Sequence, residues 1–200
     1  KDLPEAPDAT FIAVNAESAI DIVADLKSIG GGGAVLYASG FGEVGEKGIK
    51  RNQRLVAAAD GMPVIGPNCY GFINSLDGVA LWPDVHGCEA VSSGVAIITQ
   101  SGNIGLNITM QAIGLPIAYM FTLGNQTNTN IADIIHAMLD DNRVSAIGLR
   151  IEGISDIESF DIAARRALKK KIPIVAIKSG RTDASAKIAL SHTSSMTGSD

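Results

Sequence analysis

Short apolar runs alternate with helix-like segments along most of the chain. The runs stay apolar instead of switching between apolar and polar residues, which is typical of strands buried on both faces of a parallel sheet. The predicted strands are residues 10–14, 34–38, 63–65, 95–99, 117–123, 145–151 and 173–178. The predicted helices are residues 17–29, 46–60, 102–113, 131–140 and 157–170. This alternation predicts an α/β fold built on parallel sheets.

The alternation is interrupted once, between Phe72 and Ser93, where prolines, glycines and Trp82 occur with no sustained period. We interpret residues 73–93 as a linker that can form a short hairpin. It separates two predicted modules, residues 1–72 and residues 94–200. The first module has only three predicted strands. That is few for a doubly wound domain, so we expect it to be the later part of a larger one.

Composition and charge narrow the class of protein. Hydrophobic residues make up 46% of the 200 residues and charged residues 18%, which excludes a disordered chain. The net charge of −5 and the lack of a lysine or arginine block argue against a nucleic-acid partner. The apolar runs are far shorter than the roughly 18 residues of a membrane span, so no membrane partner is expected. Cys69 and Cys88 suit a reducing, cytoplasmic location, and no histidine–cysteine spacing predicts a metal site.

The loops that follow the strands hold the candidate chemistry, because ligands of parallel sheets bind beyond the carboxyl ends of the strands. Ser101, Gly102 and Asn103 join a strand directly to a helix. Unpaired amides and the positive end of the helix dipole make such a start an anion site, and small residues let an anion reach the backbone. The alternative is an ordinary helix cap followed by a glycine turn.

Three further strand ends carry polar residues that we expect at the same edge. These are Gly124 and Asn125, then Glu152, and then Lys178. Two cations, Lys178 and Arg181, together with several amides and a carboxylate in one crevice predict phosphate handling with an acid–base or orienting group. The alternatives are a solvated charge for Lys178 and, for Glu152, an acid that balances a helix dipole. His192 lies in a run of small polar residues, where it is either an exposed nucleophile or an ordinary surface histidine.

Six short strings occur in an order that resembles a known family. They are Gly66-Pro67-Asn68-Cys69-Tyr70-Gly71, Gln100-Ser101-Gly102-Asn103, Gly124-Asn125, Ile151-Glu152-Gly153, Lys178-Ser179-Gly180-Arg181 and Ser191-His192-Thr193. Each string is common by itself. Their order and spacing over essentially the whole chain resemble the NDP-forming acyl-CoA synthetases, which are related to the α subunit of succinyl-CoA synthetase.

The resemblance implies an acid–CoA ligase of the ADP-forming type. Such an enzyme converts a carboxylic acid, CoA and ATP to acyl-CoA, ADP and phosphate through an acyl phosphate and a phosphohistidine. By its position in the motif, His192 would be that histidine, and Glu152 would be the carboxylate that holds and polarises it. Ser101, Gly102 and Asn103 would form the helix start that receives the phosphoryl group. The same crevice would be lined by Gly124, Asn125 and Lys178.

The resemblance also gives each module a role. Residues 1–72 would be the later part of a Rossmann-like CoA-binding domain, and residues 94–200 would be a flavodoxin-like ligase domain that carries the histidine loop. The candidate CoA contacts are the strand-end residues Asn15, Ser39, Gly40 and Cys69. ATP or ADP and Mg²⁺ would bind through an ATP-grasp domain or subunit outside this sequence. The complete enzyme would be an oligomer that acts on a small carboxylic acid.

Two positions depart from the family pattern, and two other functions stay open. Asn15 stands where the family often has proline, and Ser194 stands where it often has glycine. The first alternative is a non-catalytic module that senses CoA or acyl-CoA, which would need neither His192 nor Glu152. The second is a flavodoxin-like phosphate or mononucleotide binder unrelated to CoA, which would leave the order of the six strings unexplained.

Overall fold

The computed structural model describes residues 3–111 and 113–179, and within them strands and helices follow each other nearly as the sequence predicts. The strands are β1 (Thr10–Ile12), β2 (Ala34–Leu36), β3 (Val64–Ile65), β4 (Gly71–Asn74), β5 (Val79–Leu81), β6 (Gly94–Thr99), β7 (Ile117–Thr122), β8 (Val144–Ile151) and β9 (Ile174–Lys178). The helices are α1 (Ala16–Ser28), α2 (Glu46–Ala59), α3 (Gly102–Thr109), α4 (Ile131–Met138) and α5 (Ile157–Lys170), with a short 3-10 helix at Gly42–Val44. The predicted α/β class with mainly parallel sheets is confirmed.

The first sheet has three parallel strands in the order β1-β2-β3. Its core contains the apolar face of α1, with Ile20 and Val23, and the buried Leu55 of α2. Asn15 begins α1, because its side-chain oxygen accepts a hydrogen bond from the Ser18 amide at 3.1 Å. The carboxyl end of β1 therefore leads directly into a capped helix start.

The second sheet has six strands in the order β5-β4-β7-β6-β8-β9. The four strands β7, β6, β8 and β9 are parallel to one another, whereas β4 is antiparallel to both β5 and β7. Residues 73–93, predicted as a linker, thus include the end of β4 and all of β5. The hairpin extends the second sheet at the edge next to β7.

Opposite faces of the second sheet have different cores. One face is covered by α4 and α5, whose Ile135 and Ala163 pack with Ile147 and Leu149 of β8. The buried Gly105 of α3 lies close to Thr122 of β7. This arrangement puts the start of α3 at the carboxyl end of β6, beside the end of β8.

The loop after β7 joins the two sheets. The Val64 amide of β3 donates to Asn128 Oδ1 at 2.9 Å and to Thr129 Oγ1 at 3.2 Å. The Thr127 hydroxyl donates to Asn52 Oδ1 of α2 at 3.2 Å. These contacts bring the carboxyl ends of both sheets to a common crevice. No helix in the part of the chain that the structure describes has the length and apolar character needed to cross a membrane.

Candidate functional site

A crevice of about 660 Å³ lies between the carboxyl ends of the two sheets. It receives residues that follow β1, β2 and β3 from the first sheet and β6 and β8 from the second. The lining consists of residues 14–17, 37–39, 51, 68–70, 100–103 and 152. Seven residues predicted from the sequence are among them: Asn15, Ser39, Cys69, Ser101, Gly102, Asn103 and Glu152.

The start of α3 forms one wall of the crevice. Ser101 caps the helix, with its side-chain oxygen accepting from the Ile104 amide at 3.5 Å. The cap satisfies one of the four amides that a helix leaves without internal partners, and the helix dipole gives this end of α3 a partial positive charge. The segment from Ser101 to Asn103 is therefore both an ordinary helix cap and a helix start that faces the crevice.

The Tyr70 ring packs on this helix start. A Cβ atom added at Gly102 would lie 2.5 Å from Tyr70 Cδ1, so a larger residue there would displace the ring. The Tyr70 hydroxyl donates to Asn103 Oδ1 at 3.2 Å, and burial raises the pKa of Tyr70, which favours the protonated donor. Trp82 supports the ring from another side, with the two ring centroids 5.5 Å apart. Gly102 is thus required for the close packing of the Tyr70 ring on the helix start.

Glu152 lies at the end of β8 and is only 5% exposed. Arg150 Nη1 donates to Glu152 Oε1 in a short ion pair. The Lys178 amine donates to the Glu152 carbonyl at 2.9 Å and to the Ser179 carbonyl at 2.8 Å. A buried carboxylate held in this way is paired with a cation, as burial of a charge requires.

Gln100 fixes the Glu152 loop with its side chain. Its Oε1 accepts from the Glu152 amide and, at 3.0 Å, from the Gly153 amide. Its Nε2 donates to the Gly153 carbonyl at 2.5 Å. Gln100 is 1% exposed, and the residue that follows it is the helix cap Ser101. One side chain therefore connects the helix start to the carboxylate.

The candidate CoA contacts differ in accessibility. Asn15 and Ser39 are exposed and line the crevice. Gly40 is not among the lining residues, and its amide donates to the Glu43 side chain. Cys69 is 2% exposed, its thiol donates to the Leu36 carbonyl at 3.4 Å, and burial raises its pKa to about 12. The thiol is therefore held protonated against the backbone, which fits its interpretation as a small buried loop residue.

Three residues that the sequence analysis assigns to this crevice lie outside its lining. Gly124 packs on the loop of residues 66–68, and the Asn125 amide donates to the Pro67 carbonyl at 3.0 Å. The side-chain amide of Asn125 donates to Glu43. Lys178 contacts the backbone at Glu152, as described above. These three residues therefore contact the loops that carry the lining residues, and they are not part of the lining themselves.

Arg51, Tyr70 and Gln100 line the crevice but are not singled out by the sequence analysis. Arg51 comes from the middle of α2 and reaches the strand-end region, donating to Glu17 at 2.8 Å and to the Gly40 carbonyl at 2.7 Å. No strand-end rule identifies such a residue. Tyr70 and Gln100 each lie within one of the six family strings, and this position in the sequence could have identified them as candidates.

The candidate histidine, His192, lies outside the described residues. Within residues 3–111 and 113–179, no group of three or more histidine, cysteine, aspartate or glutamate side chains could hold a metal ion.

The carboxyl-terminal part of the chain matches a family model. Residues 92–200 match the succinyl-CoA ligase like flavodoxin domain. The α subunit of the ADP-forming acetate–CoA ligase II of Pyrococcus furiosus is 34% identical over 204 residues, a match that covers 100% of this chain and 44% of the relative. A trans-feruloyl-CoA synthase from an unknown prokaryotic organism is 31% identical and is matched over 29% of its length, with 98% of this chain covered. The chain therefore spans less than half the length of these relatives.

A solved structure has the same fold. It is the dinucleotide-forming acetyl-coenzyme A synthetase 1 of Ca. Korarchaeum cryptofilum in complex with phosphate and ADP. The TM-score is 0.84 and the identity 30%, with 98% of this chain and 43% of that chain covered. The similarity extends over both sheets and not only over the residues that match the family model.

Proposed function

Because the chain belongs to the family of succinyl-CoA ligase like flavodoxin domains, we propose that it is part of an acid–CoA ligase (ADP-forming). The complete enzyme would convert a carboxylic acid, CoA and ATP to acyl-CoA, ADP and phosphate. Relatives that match essentially all of this chain are named as ADP-forming acetate–CoA ligase subunits, which supports the reaction class. They give no support to the alternative of a non-catalytic CoA sensor.

The observation that carries the proposal is that a buried carboxylate and a helix start line the same crevice. Glu152 and the segment Ser101–Asn103 both belong to its lining. A carboxylate would repel a phosphate group bound at the helix start. An imidazole between them removes this conflict, since one ring nitrogen can donate to the carboxylate while the other carries the phosphoryl group. His192 is the residue that the family motif offers for this place.

Glu152 would act on His192 in two ways. A hydrogen bond from one ring nitrogen fixes the tautomer, and the negative charge makes the second nitrogen a better nucleophile and stabilises the ring when it becomes positively charged. The ion pair with Arg150 fixes the position of the Glu152 side chain. The amides at the start of α3 would hold the phosphoryl oxygens during transfer, because they present fixed dipoles at no cost of reorganisation.

CoA and the acid would bind from the side of the first sheet. Asn15, Ser39 and Arg51 line that part of the crevice with donors for polar or phosphate groups. The crevice is large enough for part of a nucleotide-sized ligand together with a small acid. ATP and Mg²⁺ would bind to an ATP-grasp domain or subunit, which is the expected partner of this chain. His192 would then carry the phosphoryl group between the two places.

The test is labelling of the full-length protein, with its partner subunit if it has one, by γ-labelled ATP and Mg²⁺. We expect base-stable, acid-labile phosphate on one histidine, and loss of the label in His192→Ala. Glu152→Gln keeps the size of the side chain but removes its charge, and we expect at least a 100-fold loss in labelling rate. Glu5→Gln, the same change at an exposed residue outside the crevice lining, is the matched control and should label normally. Undiminished labelling of His192→Ala would refute the proposal.

A further inference from the structure

We propose that Gln100 is a positioning residue that sets the place of Glu152 relative to the start of α3. This inference rests on the proposed function, because it concerns the same phosphoryl transfer. The side chain of Gln100 makes the hydrogen bonds to Glu152 and Gly153 described above, and its own backbone continues into Ser101. A shift of Gln100 would therefore change the distance between the helix start and the carboxylate.

The end of the strand ladder explains why a side chain is needed here. The last paired residues of β6 and β8 are Thr99 and Arg150. Beyond this pair no backbone rung is formed between the two strands in the described residues. The carboxamide of Gln100 has the same groups as a peptide bond, a carbonyl acceptor and an N–H donor, and it supplies the missing rung for Glu152 and Gly153.

The chemistry of the carboxamide is specific to this arrangement. Its oxygen has two acceptor positions, and the amides of Glu152 and Gly153 occupy both. Its nitrogen donates to the Gly153 carbonyl. Because Gln100 is almost fully buried, an apolar replacement would leave two amides and one carbonyl without these partners. A backbone at the end of a strand would respond by moving toward solvent, and Glu152 would move with it.

The opposite side of Gln100 is fixed as well. Its carbonyl accepts from the Gly124 amide at 3.2 Å, and the Thr99 carbonyl accepts from the Leu123 amide at 2.9 Å. The residue is therefore held by the end of β7 on one side and bonds to the end of β8 on the other. Its position depends on the second sheet and not on a ligand, which makes it suitable for setting a fixed distance.

The first experiment compares the full-length wild-type protein with Gln100→Leu, which has a similar volume but no polar group. We expect the rate of phosphoryl transfer to His192 in a single turnover to fall about 100-fold, as an error of about 1 Å in placement would cause. The KM for CoA should change less than about 3-fold, since Gln100 acts through Glu152. Labelling of the wild-type protein tests the proposed function separately. If the wild type labels and Gln100→Leu transfers at the wild-type rate, the positioning role is wrong.

A second variant protects the test against a folding defect. Gln100→Glu is isosteric, and when protonated it offers both a carbonyl acceptor and an O–H donor. Burial raises the pKa of the introduced carboxyl, so its protonation falls in a range where the enzyme can be measured. The transfer rate of Gln100→Glu divided by that of the wild type should therefore rise about 10-fold or more as the pH is lowered from about 8 toward about 5.

The ratio to the wild type separates this titration from that of nearby charged groups. Those groups are Glu152 and Arg150 from β8, Lys178 from β9, and Glu17 and Arg51 across the crevice. They are the same in both proteins, so their own titration contributes to both rates. A ratio that does not change with pH would overturn the proposal, because a general packing defect is not relieved by one proton.

Discussion

Gly124 offers a direct test of how the two sheets are held together. Its φ angle is +54°, a conformation that residues with a side chain rarely adopt. A Cβ atom at this position would lie 2.2 Å from the Pro67 carbonyl oxygen and 2.4 Å from that of Asn68. Both neighbours are backbone atoms, so rotation of a side chain cannot relieve the contact. Gly124→Ala should therefore push the loop after β7 away from the loop after β3.

Gly78 is the matched control for this change. Its φ is +67°, and no atom lies within 4 Å of an added Cβ. Gly78→Ala has only the cost of the left-handed backbone, about 1 kcal/mol after the entropy of the unfolded chain is included. Gly124→Ala has the same cost and in addition the forced separation of two loops, which is about 1–3 kcal/mol by analogy with overpacked cores. We expect a total of about 2–4 kcal/mol.

The assay is urea unfolding of the full-length protein, monitored by circular dichroism and by Trp82 fluorescence. The midpoint should fall more for Gly124→Ala than for Gly78→Ala, with similar dependence of the unfolding free energy on urea. Two backbone bonds between these loops should weaken as well, namely Asn125 amide to Pro67 carbonyl and Thr127 amide to Gly66 carbonyl. Equal destabilisation by the two substitutions would refute the close approach of the loops.

Two further predictions follow from ionisable groups. The Arg143 guanidinium, which bonds to Asp141, holds the pKa of that carboxyl well below its usual range. The stabilisation that this ion pair gives the folded protein is therefore complete above the pKa of an aspartate in the unfolded chain, about 3.9. It is lost as the pH falls toward the lower pKa that Asp141 has in the folded protein. Asp141→Asn should thus lower the unfolding free energy more at about pH 7 than at about pH 3. An equal loss of unfolding free energy at the two pH values would contradict the ion pair, and so would a loss of the same size in the exposed Asp21→Asn. Cys69 should resist iodoacetamide at about pH 8 in the native protein and react after unfolding, because its pKa is about 12 and it is buried; rapid native labelling of Cys69, located by mass spectrometry, would show that the thiol is accessible.

The hydrophobic pattern predicted the parallel strands and the helices, but not the bounds and pairing of the strands β4 and β5. The parallel strands β6 to β9 could be predicted because they are apolar on both faces and separated by amphipathic helices. The hairpin of β4 and β5 has short, partly exposed strands in a segment without a sustained period. Its partner β7 begins more than forty residues later, at Ile117. Such pairing depends on tertiary contacts that local periodicity does not contain.

The strand-end rule predicted the edge of the sheet at which the crevice forms, but not the direction of each side chain. Ser101 and Glu152 follow adjacent parallel strands and line the crevice together. Asn125 follows β7 at the same edge, yet its side chain turns to Glu43 because the loop bends over the first sheet. The rule also says nothing about Arg51, which reaches the crevice from within a helix. The conformation of the loop sets the direction of a side chain beyond a strand end. A loop has no hydrophobic periodicity from which this direction could be predicted.

The charges around the crevice explain why composition did not reveal the site. Among the described lining residues, Arg51 is the one cation, and it is paired with Glu17 at 2.8 Å. Glu152 is paired with Arg150. The anion binding that we propose at the start of α3 would therefore rely on oriented amides and not on an excess of lysine or arginine. Backbone N–H groups are present in every residue except proline. Only their geometry, fixed here by Gly102, Tyr70 and the Gln100 side chain, would distinguish a site from an ordinary helix start.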